Sequence, residues 1–200
     1  MANPYAVWNV QATKMGRTTS EPLPSIYGAL PFPLPVEDRP SMVFTFTGFD
    51  PTVTNCTILG PNGSPQFRIV TDSSMPGYTL LKTLDGRRSA LIEWRNQAKC
   101  KVEIRGMVSK QYVSEFLRVS PDKRYRIMLV RSQEFMWLPE GDNISLYTVG
   151  SSQNNSEFLG RISRNVGAVT LELTQSAVRG GLLQASIIAT VLIQSGLNID

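Results

Sequence analysis

Basic residues that could bind anions are concentrated in the middle of this 200-residue chain. Thirteen Lys and Arg residues but five Asp and Glu residues lie between Lys82 and Arg131, a net charge of +8 in a chain whose total is +4. Clustered lysine and arginine attract phosphate groups, on lipid headgroups or on nucleic acid. The candidate anion-binding residues are Arg87, Arg88, Lys99, Lys101, Arg105, Lys123, Arg124 and Arg126.

The acidic residues form no conventional catalytic motif. Histidine is absent, which removes the commonest general base, the usual serine or cysteine triad and the commonest zinc ligand. Glu93 and Glu103 lie in alternating runs beside basic residues, a context typical of cross-strand partners. The other candidates lie beside glycine, proline or serine, where turn formation explains them: Asp50, Asp72, Asp85 and Asp142. An enzyme with an atypical carboxylate-based site is therefore the least favoured functional hypothesis.

No cofactor and no metal are expected from the sequence. Calcium loops, phosphate-binding loops and nucleophile elbows are missing. Cys56 and Cys100 are too few for a thiolate zinc site or a disulfide framework. They could pair with each other, but buried, reduced thiols are the expectation.

The N-terminal residues Met1–Tyr5 include no basic stretch followed by an apolar run, so we expect no secretory signal. A cytoplasmic, reducing location is predicted, with peripheral attachment to a membrane as its variant. Residues 1–40 hold six prolines between Pro22 and Pro40, which predicts a flexible, proline-rich N-terminal arm. Such an arm could also bind a proline-reading domain.

Residues 41–200 are predicted to form a single β-rich domain, because short alternating runs separated by turn residues fill them. Asp85-Gly86 suits a hairpin turn in which both central residues have positive φ. Val102 and Ile104 alternate with charged residues, which gives their run one wet and one dry face. Strands at intervals of roughly ten residues indicate an antiparallel sandwich or barrel. A short helical turn is suggested only at Val113 to Leu117.

The apolar segment Leu182–Ile193 has nine apolar residues out of twelve. Its polar residues form no wide stripe on a helical wheel, which is typical of a helix buried on all sides or of a membrane span. Twelve residues are fewer than the roughly twenty that a membrane-spanning helix needs, so we predict a buried helix and no transmembrane segment. The alternative is a strand, because several of these residues are β-branched.

Four motifs resemble, in order and spacing, an uncharacterised fungal family that is similar to the tubby C-terminal and LURP-one-related superfamily. They are Leu91-Ile-Glu-Trp-Arg95, Val102-Glu-Ile-Arg-Gly106, Val113-Ser-Glu-Phe-Leu117 and Phe135-Met-Trp137. The resemblance covers about Met42 to Ile193 and implies a closed antiparallel tubby-like β-barrel around the apolar C-terminal helix. Family members usually carry Asp-Gly where this chain has Arg131-Ser132, so this hairpin is expected to differ in shape.

Binding is favoured over catalysis. Tubby-type domains bind phosphoinositides through basic residues, so the resemblance implies a non-catalytic module that recognises anionic phospholipid headgroups. The main alternative is a protein-interaction or oligomerisation scaffold that binds its partner through the N-terminal arm or an exposed strand edge. A basic surface that only keeps the domain in solution is the plainest interpretation. Nucleic-acid binding is disfavoured, because nearby aromatic residues, among them Trp94, fit core positions, as does Trp137.

Overall fold

The computed structural model describes residues 41–71, 74–94, 100–150, 156–197 and 199. The predicted arm, residues 1–40, and the candidates Lys99 and Asp72 lie outside these described residues. Within them the chain forms thirteen β-strands and three short helices, a mainly antiparallel β architecture.

Seven strands precede the first helix: β1 (Ser41–Thr47), β2 (Cys56–Leu59), β3 (Pro65–Thr71), β4 (Tyr78–Thr83), β5 (Arg88–Glu93), β6 (Lys101–Ile104) and β7 (Val108–Tyr112). The predicted helical turn follows as α1 (Val113–Phe116). The next six strands are β8 (Leu117–Val119), β9 (Arg126–Val130), β10 (Gln133–Glu140), β11 (Asn143–Thr148), β12 (Phe158–Asn165) and β13 (Ala168–Thr174). Two helices come after β13, namely α2 (Gln175–Arg179), which the sequence pattern did not predict, and α3 (Leu183–Gln194).

All thirteen strands belong to one sheet, in the order β7-β6-β5-β4-β3-β2-β1-β13-β12-β11-β10-β9-β8. Every neighbouring pair is antiparallel. Thirteen strands in this order reverse direction twelve times, so β7 and β8, the two edges, run in the same direction. The chain therefore runs from β7 through α1 into β8 without reversing, as one strand interrupted by a helical turn.

The sheet curls until its two edges approach each other. Laid flat, β7 and β8 would be roughly 55–60 Å apart, because neighbouring strands lie about 4.8 Å apart. The chain from Tyr112 to Leu117 spans at most about 18 Å. Within the described residues no hydrogen-bonded ladder joins β7 to β8, a gap that we call the seam. The closed barrel that the family resemblance implied is thus not closed by hydrogen bonds.

Helix α3 lies in the hydrophobic core, and the strand alternative for this segment is wrong. All eight residues from Ala185 to Leu192 are buried, so no side of the helix faces solvent over two turns. The helix contacts both β5 and β13, which lie five positions apart in the sheet. A curled sheet explains how one helix reaches both. Among the helices of the described segments, none has the length and apolarity that crossing a membrane requires.

The turns alternate between two ends of the sheet, because neighbouring strands are antiparallel. We call the end at which α3 finishes the lower end, and the opposite end the upper end. The lower end carries the connections 48–55, 120–125, 141–142 and 166–167. The upper end carries the connections 84–87, 105–107 and 131–132.

Two upper-end turns differ from the sequence-based expectation. In the β4–β5 turn only Gly86 has a positive φ, +80°, and the Thr83 N–H donates to the Arg87 carbonyl at 3.0 Å. The loop is therefore longer than the predicted two-residue turn. Arg131 and Ser132, in contrast, have φ values of 49° and 66°. This two-residue turn has the geometry that suits Asp-Gly, although it contains no glycine.

Both cysteines are buried thiols, as the sequence predicted. The Cys56 thiol donates a hydrogen bond to the Val53 carbonyl at 3.3 Å. Burial raises the pKa of Cys56 to about 12, and burial also raises the pKa of Cys100. Because the thiolate is the reactive form, neither side chain is suited to act as a nucleophile.

Candidate anion-binding site

The structure separates the predicted anion-binding residues instead of placing them on one face. The upper group lies in or beside the β4–β5 and β6–β7 turns and comprises Arg87, Arg88 and Arg105. The lower group lies in the β8–β9 turn and at the start of β9 and comprises Lys123, Arg124 and Arg126. Lys101 belongs to neither group, since it begins β6 at the lower end but pairs within the sheet.

Lys101 takes part in a cluster of structural contacts. Its Nζ lies 4.9 Å from the centre of the Tyr112 ring, and its register partner on β5 is Glu93. The Glu93 side chain is buried, and Lys110 Nζ lies 2.7 Å from its Oε2. Glu93 is therefore a partner of a neighbouring basic residue, as predicted, and the strand register places Lys101 opposite it.

In the upper group, the positive charge of Arg87 is compensated by a carboxylate in its own turn. Its guanidinium forms an ion pair with Asp85, and Thr83 Oγ1 donates to the same carboxylate. The hydrogen bond from Thr83, followed by that from Arg87, lowers the pKa of Asp85. An anionic ligand at this turn would have to compete with an ionised carboxylate for Arg87.

The lower group surrounds a pocket of about 320 Å³ beside the end of α3. Pockets for organic ligands have volumes of about 300–1,000 Å³ and combine apolar walls with a few polar groups. The lining residues here are Val119, Lys123, Arg124, Tyr125, Arg126, Trp137, Pro139, Ile144 and Ile193. Three basic side chains thus accompany a largely apolar wall, and the described lining residues include no carboxylate.

The β8–β9 turn positions Lys123 and Arg124 at this pocket. Ser120 Oγ donates to Asp122 Oδ1 at 2.5 Å and accepts from the Arg124 N–H at 3.1 Å. Asp122 Oδ2 lies 3.6 Å from Arg124 Nε. The hydrogen bond from Ser120 is the main contribution that lowers the pKa of Asp122. The turn therefore presents two exposed cations and one ionised carboxylate.

Arg126 reaches the pocket from the inner face of the sheet. The strand register places Val119, Arg126 and Trp137 side by side on β8, β9 and β10, and directly opposed residues share a face. Trp137 is 1% exposed, so this row faces the core at the lower end. Arg126 is half-buried, and its Nη1 donates to the Leu117 carbonyl at 3.2 Å.

Trp137 lines the pocket, and its indole carries a hydrogen-bond donor that the fold does not use. Its indole Nε1 is buried and has no hydrogen-bond partner within the described residues. Leaving a buried donor unpaired costs about 1–3 kcal/mol. The sequence correctly predicted that Trp137 is buried, but an unused donor depends on strand register and has no sequence signal.

A second pocket of about 330 Å³ also lies at the lower end, near the last residues of α3. Within the described part of the chain, Arg164 is the one basic residue that lines it, and Ser195 is the one lining hydroxyl from the α3 end. The Ser195 hydroxyl is already used, because it donates to the Leu192 carbonyl at 2.9 Å. Among the described residues, no aspartate or glutamate lines either pocket, so the two pockets give no support to a carboxylate-based enzyme.

The apolar wall of the first pocket was missed by sequence reasoning. Val119, Ile144 and Ile193 come from β8, β11 and α3, and they meet only because α3 ends beside the β8–β9 and β10–β11 turns. Each had an ordinary place in an apolar pattern. Only the three basic residues carried a sequence signal, which was their charge.

No family model matches the sequence, and no curated protein matches it either. Among solved structures, the chain is similar to the X-ray structure of a protein from Arabidopsis thaliana, AT5G01750, with 12% sequence identity and a TM-score of 0.39. The similarity covers 76% of this chain and 91% of that chain. A neighbour this distant carries no argument about function, and the tubby and LURP-one resemblance stays a prediction.

Proposed function

We propose that this chain is a non-catalytic binding module that recognises anionic phospholipid headgroups at its lower end. The observation that carries the proposal is the convergence of Lys123, Arg124 and Arg126 on one pocket with an apolar wall. Juxtamembrane lysine and arginine residues each contribute about 1 kcal/mol of attraction to an anionic surface. Three cations in one place are therefore sufficient for weak, reversible and salt-dependent attachment.

The exposure of side chains at the lower end also supports this end as the binding surface. Lys123 and Arg124 lie in a turn whose side chains are exposed, so they can approach a surface without rearrangement. Val166 is fully exposed in the β12–β13 turn, and Leu197, beyond α3, is also exposed. Apolar tips beside cations are typical of surfaces that contact the interface of a bilayer.

Vesicle co-sedimentation tests the proposal. Wild-type protein should sediment with phosphatidylcholine vesicles that contain phosphatidylserine and not with pure phosphatidylcholine vesicles, and binding should weaken as salt is added. The double substitution Lys123→Glu/Arg124→Glu should reduce binding by about ten-fold or more, because two attractive charges become repulsive.

The matched control is Arg87→Glu/Arg88→Glu, which makes the same change in net charge at the upper end. It should retain most of the wild-type binding. Equal losses in both double variants would show that total charge, and not the lower-end site, drives attachment. Equal sedimentation with neutral and anionic vesicles at low salt would refute charge-based recognition altogether.

A further inference from the structure

The pocket wall has more apolar surface than a headgroup site requires. A phosphate bound at the β8–β9 turn needs only cations and N–H donors. Yet Val119, Ile144 and Ile193 form one side of the same pocket, together with the Trp137 ring. Burying apolar ligand atoms against such a wall is favourable, because it removes both surfaces from water.

The polar groups of the pocket lie at two depths. Lys123 and Arg124 are exposed at the turn, whereas Arg126 is half-buried and Trp137 is fully buried on the inner face of the sheet. Because Trp137 lines the pocket, a ligand acceptor that reaches the unpaired indole Nε1 would give this donor a partner. A buried polar group without a partner in a native structure calls for such an explanation.

From these two features we infer that the pocket binds an organic anion whose acidic group is attached to a single apolar chain. The acidic group contacts the three cations, one of its acceptors pairs with the Trp137 N–H, and the chain lies against the apolar wall. A volume of about 320 Å³ is near the lower limit for ligand pockets, which favours one short chain. The inference rests on the proposed function and specifies its ligand.

Titration calorimetry with decyl phosphate, below its micelle concentration, tests the inference on the full chain. Decyl phosphate should bind at least about ten times more tightly than inorganic phosphate, which lacks the chain, and than decanol, which lacks the charge. Trp137→Phe keeps the ring and removes the donor, so it should weaken decyl phosphate binding by about three- to ten-fold, as expected for one hydrogen bond.

Trp94→Phe is the matched control, because the Trp94 indole already donates to Thr79 Oγ1 at 2.7 Å and lies outside the pocket lining. It should leave the affinity for decyl phosphate unchanged. If Trp137→Phe does not fold, Pro139→Glu serves instead, since Pro139 is an exposed lining residue. A glutamate there should repel the anion and weaken binding by a similar factor.

Equal affinities for decyl phosphate and inorganic phosphate would overturn the inference, and so would equal effects of Trp137→Phe and Trp94→Phe. The proposed function fails separately. If the protein binds phosphatidylserine vesicles through Lys123 and Arg124 but does not bind decyl phosphate, only the inference is refuted. The opposite result would be that decyl phosphate binds while Lys123→Glu/Arg124→Glu leaves vesicle binding unchanged. This result would refute only membrane recognition at the lower end.

Discussion

At the scale of single residues, Asp122 opposes the cations beside it. Its carboxylate accepts from Ser120 Oγ and from the Arg124 N–H, and its other oxygen lies 3.6 Å from Arg124 Nε. These contacts order the turn that presents Lys123 and Arg124. The same carboxylate would compete with the proposed anionic ligand for the Arg124 guanidinium, so the contacts that order the turn would also lower its affinity for that ligand.

We predict that Asp122→Asn strengthens binding to phosphatidylserine vesicles by about two- to five-fold, a size typical of one exposed charge interaction. Asparagine keeps the acceptor for Ser120 and removes the negative charge. The pKa of Asp122 is lowered, primarily by the Ser120 hydrogen bond, so its carboxylate is ionised throughout the mildly acidic range. The gain should therefore be equal at about pH 5.5 and about pH 7.5.

Asp142→Asn is the control for this prediction, because Asp142 is exposed in the β10–β11 turn at the same end but does not line the pocket. Co-sedimentation of both variants measures the difference. If Asp142→Asn strengthens vesicle binding as much as Asp122→Asn does, the net charge at this end is responsible, and not the release of Arg124 from its ion pair with Asp122.

Among elements, the β9–β10 turn is the clearest case of local strain. Arg131 and Ser132 both have left-handed backbone conformations, with φ values of 49° and 66°. For residues with a Cβ atom this conformation costs about 1–2 kcal/mol each. The pairing of Val130 with Gln133 imposes it, because a two-residue hairpin loop matches the twist of its strands only with such φ values.

Ser132→Gly is predicted to stabilise the domain by about 0.5–1 kcal/mol. Glycine adopts positive φ without steric cost, and this gain exceeds its larger loss of backbone entropy on folding. Thermal unfolding followed by circular dichroism measures the change. Ser109→Gly in the exposed part of β7 is the control and should destabilise, because its backbone is extended. Lower stability of Ser132→Gly than of wild type would contradict the strain argument.

The sequence predicted which segments form strands and helices better than it predicted which of these segments pack together. Alternation of apolar residues located most of the strands but not the short β2, β7 and β8, and the run from Leu182 located α3. Helix α2 was missed, although Thr174 Oγ1 caps it by accepting from the Ala177 N–H at 3.3 Å. A five-residue helix is too short for a periodic signal. The pocket was unpredictable, because it needs the register of Arg126 against Trp137, and periodicity contains no register.

For the whole molecule, the buried helix decides where a ligand can bind. Side chains of α3 occupy the space that the curled sheet encloses, and both pockets lie at the end of the helix and not along it. The sequence alone suggested this arrangement, since a helix apolar on all sides must be surrounded by protein.

Ile188→Asp should therefore unfold the domain instead of altering binding alone. Ile188 is 1% exposed on α3, and a carboxylate at this buried position would lose its hydration, which would lower the free energy of unfolding by more than about 4 kcal/mol. Val166→Asp, at a fully exposed turn position, is the control and should change stability by less than about 0.5 kcal/mol. Circular dichroism of both variants makes the comparison, and a native-like Ile188→Asp spectrum and melt would show that the core is assigned wrongly.

The seam and the pocket share one side chain. Arg126 lines the pocket and also donates to the carbonyl of Leu117, the first residue of β8 after α1. A guanidinium has five N–H donors, so it can hold this carbonyl and a ligand at the same time. Under the proposed function, a ligand that fills the pocket would therefore brace the junction between α1 and β8, and loss of Arg126 would loosen this junction and weaken ligand binding together.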